Sequence, residues 1–303
     1  MSGAPVLQVS SLWGRLRAAD PLELSLRLLL VALLLDSPAH WYFRVPVVLV
    51  AAAGLLVPGA LRSRWLFAGL TLLTALPLFA GWPFSDNHDY LRCLLCLAAA
   101  TCLCAPEPRR ALAWNARMLV GLLFAFAALW KGVLAPDFVD GRFFRVTLLT
   151  DSRFHDLTVL AGAATPAVLA AYDEIVRMVL SGGSVGSGWP PPGFQVPVVL
   201  GRLATVATVF TLALELAIAV CFLWPSAGRP ARLRNALLLV FGAITYAVAP
   251  VRGFGWLLCV LGVAQTRRRE YRARWAFVAL FALIEIYHSV PWSDALVRWL
   301  AGG

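Results

Sequence analysis

Nine apolar runs divide this 303-residue chain, at about 22–38, 45–60, 65–83, 90–105, 112–135, 203–224, 234–250, 254–266 and 275–291, and most connections between them are short and rich in arginine. The longer runs approach the roughly 20 apolar residues that a helix needs to cross the hydrocarbon core of a bilayer. Only structures that satisfy every backbone polar group internally survive there, and helices do so within one segment. A content of 60% apolar and 14% charged residues also leaves too little polar surface for an ordinary soluble domain. The pattern predicts an all-α, polytopic integral membrane helical bundle of about nine transmembrane helices. Its first partner is the lipid bilayer.

The net charge of +10 points to topology rather than to nucleic acid. The arginines fall in loops between apolar runs and form no continuous or aromatic-interleaved stripe, so nucleic acid is excluded as a partner. With Arg15 and Arg17 on the cytoplasmic side, the connections carrying Arg62 and Arg64, Arg109, Arg110 and Arg117, Arg229 to Arg234, and Arg267 to Arg274 also fall inside. The acidic connection Ser85-Asp86-Asn87-His88-Asp89 falls outside. This bookkeeping closes if residues 136–202 make no net crossing. Within them, 157–180 is interrupted by Pro166 and then carries Asp173, Glu174 and Arg177 at helical spacing, which predicts a helix or helix pair on the outer surface. The expected organisation is a cytoplasmic segment at 1–21, five spans in 22–135, an outer-face segment with a Gly/Pro-rich loop in 136–202, and four spans with a short tail in 203–303. The first apolar run lacks a small-residue cleavage site after it and reads as a retained span. The arginine bias and short cytoplasmic loops fit a bacterial inner membrane.

Lys131 is the only lysine in the chain, against 25 arginines. It stands in FAALWKGVLAPDF, near the end of the fifth span. One reading is a side chain that snorkels to the interface. The other is a desolvated amine acting as a general base, a role closed to arginine. His88, in DNHDYL at the head of the fourth span, is placed by the charge pattern on the same face as Lys131. It reads either as an interfacial polar residue or as a group that positions a substrate oxygen. No second histidine or cysteine stands at ligand spacing, so no metal site is expected.

Arg27 and Glu215 are charges inside apolar spans, and such charges usually pair within a bundle. An Arg27–Glu215 ion pair is therefore expected. Glu285 and His288, at i and i+3, read as interior or interfacial contacts, and His40 and His155 as outer-surface residues. Four of the six cysteines crowd the fourth span. Cys93-x-x-Cys96 reads as helix packing, with a redox pair as its alternative. Hydrolase triads, phosphate-binding loops and dinucleotide fingerprints are absent.

The order Asn87-His88-Asp89-Tyr90-Leu91, a basic turn, then a span ending in Lys131 followed by Pro136-Asp137 and Gly141, resembles the membrane region of vitamin K-dependent gamma-carboxylases, the horizontally transferred transmembrane (HTTM) domain. Arg27 and Glu215 are similar to an arginine of that family's first helix and a glutamate of a later one. Gly242 stands near where the family carries a later histidine. The resemblance covers about 20–266 and is densest over 86–144. It implies Lys131 as the catalytic base toward a reduced, vitamin K hydroquinone-like quinone, His88 as an assisting catalytic residue, and Asn87, Tyr90 and Trp130 as candidates to hold the cofactor. It also implies a peptide or protein partner, secreted or in the membrane. The expected activity is then that of a carboxylase or quinol epoxidase. The alternative is a non-enzymatic membrane factor for maturation or export of a secreted peptide. A transporter would need inverted repeats, and none is visible.

Overall fold

A computed structural model describes residues 17–36, 38, 40–182, 198–225, 228–248 and 251–289. Among these the chain is all-helical and contains no strand. Nine of the helices overlie the nine apolar runs: α1 Pro21–Leu35, α2 Trp41–Leu56, α3 Arg64–Ala80, α4 Asn87–Cys102, α5 Pro108–Leu129, α10 Val198–Leu223, α11 Arg234–Val248, α12 Arg252–Gln265 and α13 Tyr271–Ser289. Between them lie four short helices, α6 Pro136–Val139, α7 Arg142–Thr150, α8 His155–Leu160 and α9 Pro166–Leu180.

Two helical stretches, Pro108–Leu134 and Val198–Leu223, are long and apolar enough to cross a membrane, at 27 and 26 residues. Their most apolar windows are only 28% and 33% buried within the chain. The core helix of a water-soluble domain would be mostly covered, so these two present greasy surface outward over most of their length. The remaining helices are shorter or more polar than a full crossing requires.

The chain divides into two compact units, Met1–Val120 with Arg252–Ala282, and Gly121–Val251 with Leu283–Gly303. In the first, α12 is the central element. Its residues from Gly253 to Ala264 are almost all buried, as expected for a helix that is apolar all round. Leu22, Leu26, Leu29, Leu30 and Leu33 form the i, i+3, i+4 stripe by which α1 packs on it. Helix α1 starts where it does because Asp20 accepts from the Leu22 N–H at 3.2 Å and Pro21 occupies the first turn. Gly262 lets the Phe277 ring lie directly on the α12 backbone, where an added Cβ would meet the ring at 2.6 Å.

Arg274, fully buried, closes the end of this unit where α1 begins. Its guanidinium donates to the carbonyls of Ala19 at 2.5 Å and Arg267 at 2.9 Å and to Thr266 Oγ1 at 3.2 Å. One side chain thus ties the entry to α1 to the α12–α13 connection.

In the second unit, α6–α9 form a cap on the first half of α10. Phe138, Phe144, Leu148, Leu149, Ala163 and Leu169 share one core with Leu200 and Ala204 of α10. Thr158 Oγ1 donates to the Leu148 carbonyl at 2.9 Å and joins α8 to α7. The expected helix pair over 157–180 is present. It breaks at Gly162, whose φ of 64° suits glycine, and Pro166 begins α9 behind a Thr165 cap. Of the Gly/Pro-rich loop expected in the outer-face segment, residues 183–193 lie outside the described residues.

Helices α5 and α10 run antiparallel, with Gly121 against Leu223 and Gly132 near Leu212. At Gly121 an added Cβ would stand 2.7 Å from the Leu223 side chain and 3.3 Å from its backbone nitrogen. Gly121→Val is therefore expected to destabilise the protein by about 1–3 kcal/mol through overpacking. Gly201→Val on α10, where nothing lies within 4 Å, is the control. Thermal unfolding in detergent compares the two, and equal stabilities would mean that the helices do not approach here as described.

Candidate functional site

Lys131 is placed by a break in helical geometry. Helix α5 ends at Leu129 and continues as one π-helical turn, Trp130–Leu134, closed by the Ala135 N–H on the Trp130 carbonyl at 2.9 Å. The cause lies just downstream. Pro136 has no N–H to continue the ladder and disfavours α geometry in the residue before it. The turn widens, and the chain starts again as α6 with Pro136 in its first position. Single π-turns inside helices recur at functional sites.

The Lys131 ammonium donates to Glu215 Oε1, from the middle of α10. It also stands 5.3 Å from the centroid of the Phe138 ring, within range of a cation–π contact. Glu215 is 4% exposed, and its other oxygen, Oε2, is buried without a hydrogen-bond partner among the described residues. An ionised carboxylate accepts at both oxygens, so this one has an open acceptor in a place where water does not reach it freely. Phe138 is held by Phe143 and Phe144 at centroid distances of 5.2 and 5.4 Å, and its carbonyl accepts from Thr208 Oγ1 at 3.4 Å. Gly141, with φ of 77°, makes the turn from α6 into α7.

An apolar groove of about 720 Å³ runs along the same two helices. Ala125, Ala128 and Gly132 give it depth on the α5 side, and Leu212, Leu216 and Leu223 wall it on the α10 side. Its residues Gly132, Leu212 and Leu216 are neighbours in sequence of the Lys131–Glu215 pair. In the cap, Asp140 and Asp151 stay ionised to lower pH than usual. The Arg142 N–H holds the first carboxylate and the Arg153 guanidinium the second.

The expected Arg27–Glu215 pair is replaced by Lys131–Glu215. Arg27 belongs to the first unit, its side chain is 61% exposed, and its nearest carboxylate is Glu23 at 3.9 Å. The sequence singled out both charges but matched them by type alone. Lys131 and Glu215 are 84 positions apart, and no local pattern joins them.

His88 lies in the first unit, at the start of α4, where its ring faces Asp36 at 3.9 Å, Asp89 at 3.8 Å and Asp86 at 4.0 Å. The buried Arg92 holds this cluster, at 2.8 Å from Asp36 and 3.3 Å from Asp89. Asp36 packs so closely on the α12 backbone that a Cβ at Gly253 would meet its carboxylate at 1.9 Å. Asp86, His88 and Asp89 bring one ligand atom each within 4.8 Å of one another, a grouping that a search for histidine and cysteine spacing overlooks.

Of the three residues expected to hold a cofactor, Asn87 is exposed in the first turn of α4, and Tyr90 meets Trp82 edge-on at 6.3 Å. Trp130 is 62% exposed in the π-turn, in the other unit. The three are thus not assembled within either unit.

His40 stacks on Tyr42, and His155 sits 3.8 Å from Asp173. The side chain of His288 lies outside the described residues. All six cysteines are free thiols, and Cys93 Sγ lies 3.7 Å from the Thr71 carbonyl. Its neighbour Cys96 is fully buried, which agrees with the packing reading of that pair. No protein family, curated protein or solved structure matches the chain.

Proposed function

We propose that this is a multi-pass membrane protein of the HTTM type whose working site is the Lys131–Glu215 pair, used for proton abstraction from a hydroxyl of a reduced quinone. The observation that carries this reading is the buried Oε2 of Glu215, without a hydrogen-bond partner among the described residues, beside the sole lysine and on the same two helices that form the apolar groove. A reduced quinone fits those residues by its chemistry, because its hydroxyl can donate to Oε2 and its apolar body can leave water for the groove. When bound, such a group supplies acidic hydroxyls and two reducing equivalents.

Glu215 orients the ligand through Oε2 and fixes the amine through Oε1. With the shared proton on Glu215 Oε1 and the amine free, Oε1 can pass that proton to Lys131 Nζ as Oε2 takes the hydroxyl proton, so the amine is the final base and the carboxyl stays uncharged. Phe138 flanks the ammonium, and the Lys131 side chain keeps 27% of its surface exposed, so one side of the amine is open to an incoming group. Arginine would keep the positive charge but could not give up its proton. His88 stands among its own aspartates in the first unit.

Purified protein in lipid, supplied with a hydroquinone and dioxygen as the electron acceptor, is expected to consume both. Lys131→Ala and Lys131→Arg should each lower the rate about 100-fold or more. Equal rates in all three proteins would remove Lys131 as the base. A rate of zero in every protein, with Lys131→Arg retaining a stable protein partner on co-purification, would favour the alternative of a non-enzymatic maturation or export factor for a secreted peptide.

A further inference from the structure

We infer that Arg27 and Arg62 form a binding site for the phosphate of an anionic phospholipid headgroup on the surface of the first unit. The inference rests on the membrane reading above but not on any quinone chemistry. Both guanidinium groups reach for the same carboxylate. Arg62 Nη2 bonds Glu23 Oε1 at 2.6 Å, and Arg27 Nη2 lies 3.9 Å from Glu23 Oε2, beyond hydrogen-bond reach. Their side chains are 61% and 66% exposed, so neither is folded into the protein. Two cations sharing one carboxylate leave one positive charge uncompensated.

The position of that charge makes it informative. Arg27 is six residues into α1, about 9 Å along its axis from Pro21. It lies on the outward stripe with Glu23 and Leu35, opposite the leucines buried against α12. An arginine there cannot sit unpaired against acyl chains, because desolvating it without a counter-ion is costly. Its long stem can carry the guanidinium toward the headgroup layer, the depth at which Arg62 begins. That layer is marked independently by Trp65, 73% exposed, on which the Arg64 guanidinium stacks at 5.0 Å. A phosphate diester offers two oxygens to two forked donors, the geometry that arginine binds best. The positive-inside orientation puts this edge at the cytoplasmic leaflet, where anionic lipids supply that group.

The test starts from protein in its native membranes. Retention through an alkaline carbonate wash is expected. After detergent extraction, phosphatidylglycerol should raise the unfolding temperature and remain as an adduct in native mass spectrometry, whereas phosphatidylcholine and inorganic phosphate should do neither. Arg27→Gln should keep the lipid-free unfolding temperature, since the side chain is exposed, and weaken phosphatidylglycerol binding about tenfold, the loss of one charged hydrogen bond. Arg62→Gln should weaken it at least as much, and Arg142→Gln in the second unit should leave it unchanged.

Equal effects of both lipids, or undiminished binding by Arg27→Gln, would overturn the site. Binding of inorganic phosphate as tight as that of the lipid would replace the lipid by a free anion and overturn the headgroup assignment. Release by carbonate without detergent would overturn the membrane reading itself. Retention without lipid preference would overturn only this inference.

Discussion

Lys131→Ala is expected to destabilise the protein by about 3 kcal/mol, because it strands the buried Glu215 carboxylate without its cation. The loss of the ion pair is the smaller part of that cost. Most of it comes from leaving a charge in a place that cannot solvate it, or from the free energy of forcing a proton onto it. The loss can therefore be largely undone by removing both partners. Lys131→Met with Glu215→Leu should recover most of the stability, since two apolar chains of similar size suit the apolar surroundings. Lys131→Arg should remain near the parent, which separates this effect from the catalytic one, where arginine fails. Thermal unfolding in detergent, followed by circular dichroism, measures all four proteins. If the double variant is no more stable than Lys131→Ala, the two residues are not a pair.

The second large effect is expected at Arg274. Alanine there should cost about 3–5 kcal/mol, comparable to breaking a buried charged network. It removes the donors that serve the Ala19 and Arg267 carbonyls and Thr266 Oγ1 and leaves a space where a fully buried side chain had been. Lysine should rescue less than half of the loss. It restores the charge, but its single ammonium cannot span groups fixed on both sides of a planar fork. The same unfolding measurement decides, and a cost below about 1 kcal/mol would mean that the α1 entry is held by something else. Arg267→Ala makes a useful comparison, since it tests charge loss on the same connection.

Those two residues also show what a sequence can and cannot convey. Apolar runs announce helices because the length of a greasy segment limits what the backbone inside it can do, and each of the nine runs coincides with a helix. Pro166 likewise acts locally, so the break between α8 and α9 was legible in the chain. Pairing is different. Glu215 meets Lys131 rather than Arg27 because the antiparallel approach of α5 and α10, tight at Gly121, sets which turns face each other. That approach is a property of two distant surfaces, and composition does not carry it. Arg27 illustrates the same limit. Its seat within an apolar run suggested an inward charge, yet the burial of Leu26 and Leu30 on the adjacent face turns it outward. Arg274 looked like one more topology-setting arginine of a basic connection, and only the fold shows that it is a strut.

The π-turn at Trp130–Leu134 can also be regarded as an α-helical turn holding one surplus residue. Everything before it keeps the phase of α5, and at Ala135, with φ of −117° and ψ of 84°, the chain leaves helical geometry before α6 begins. Deleting exposed Val133 would return the turn to α-helix, leave Lys131 opposite Glu215, and swing Phe138 with the whole cap out of step. A single inserted codon therefore suffices to index the cap to the helix that carries the lysine. Shortening this turn would separate the ring beside the ammonium from the pair that holds it.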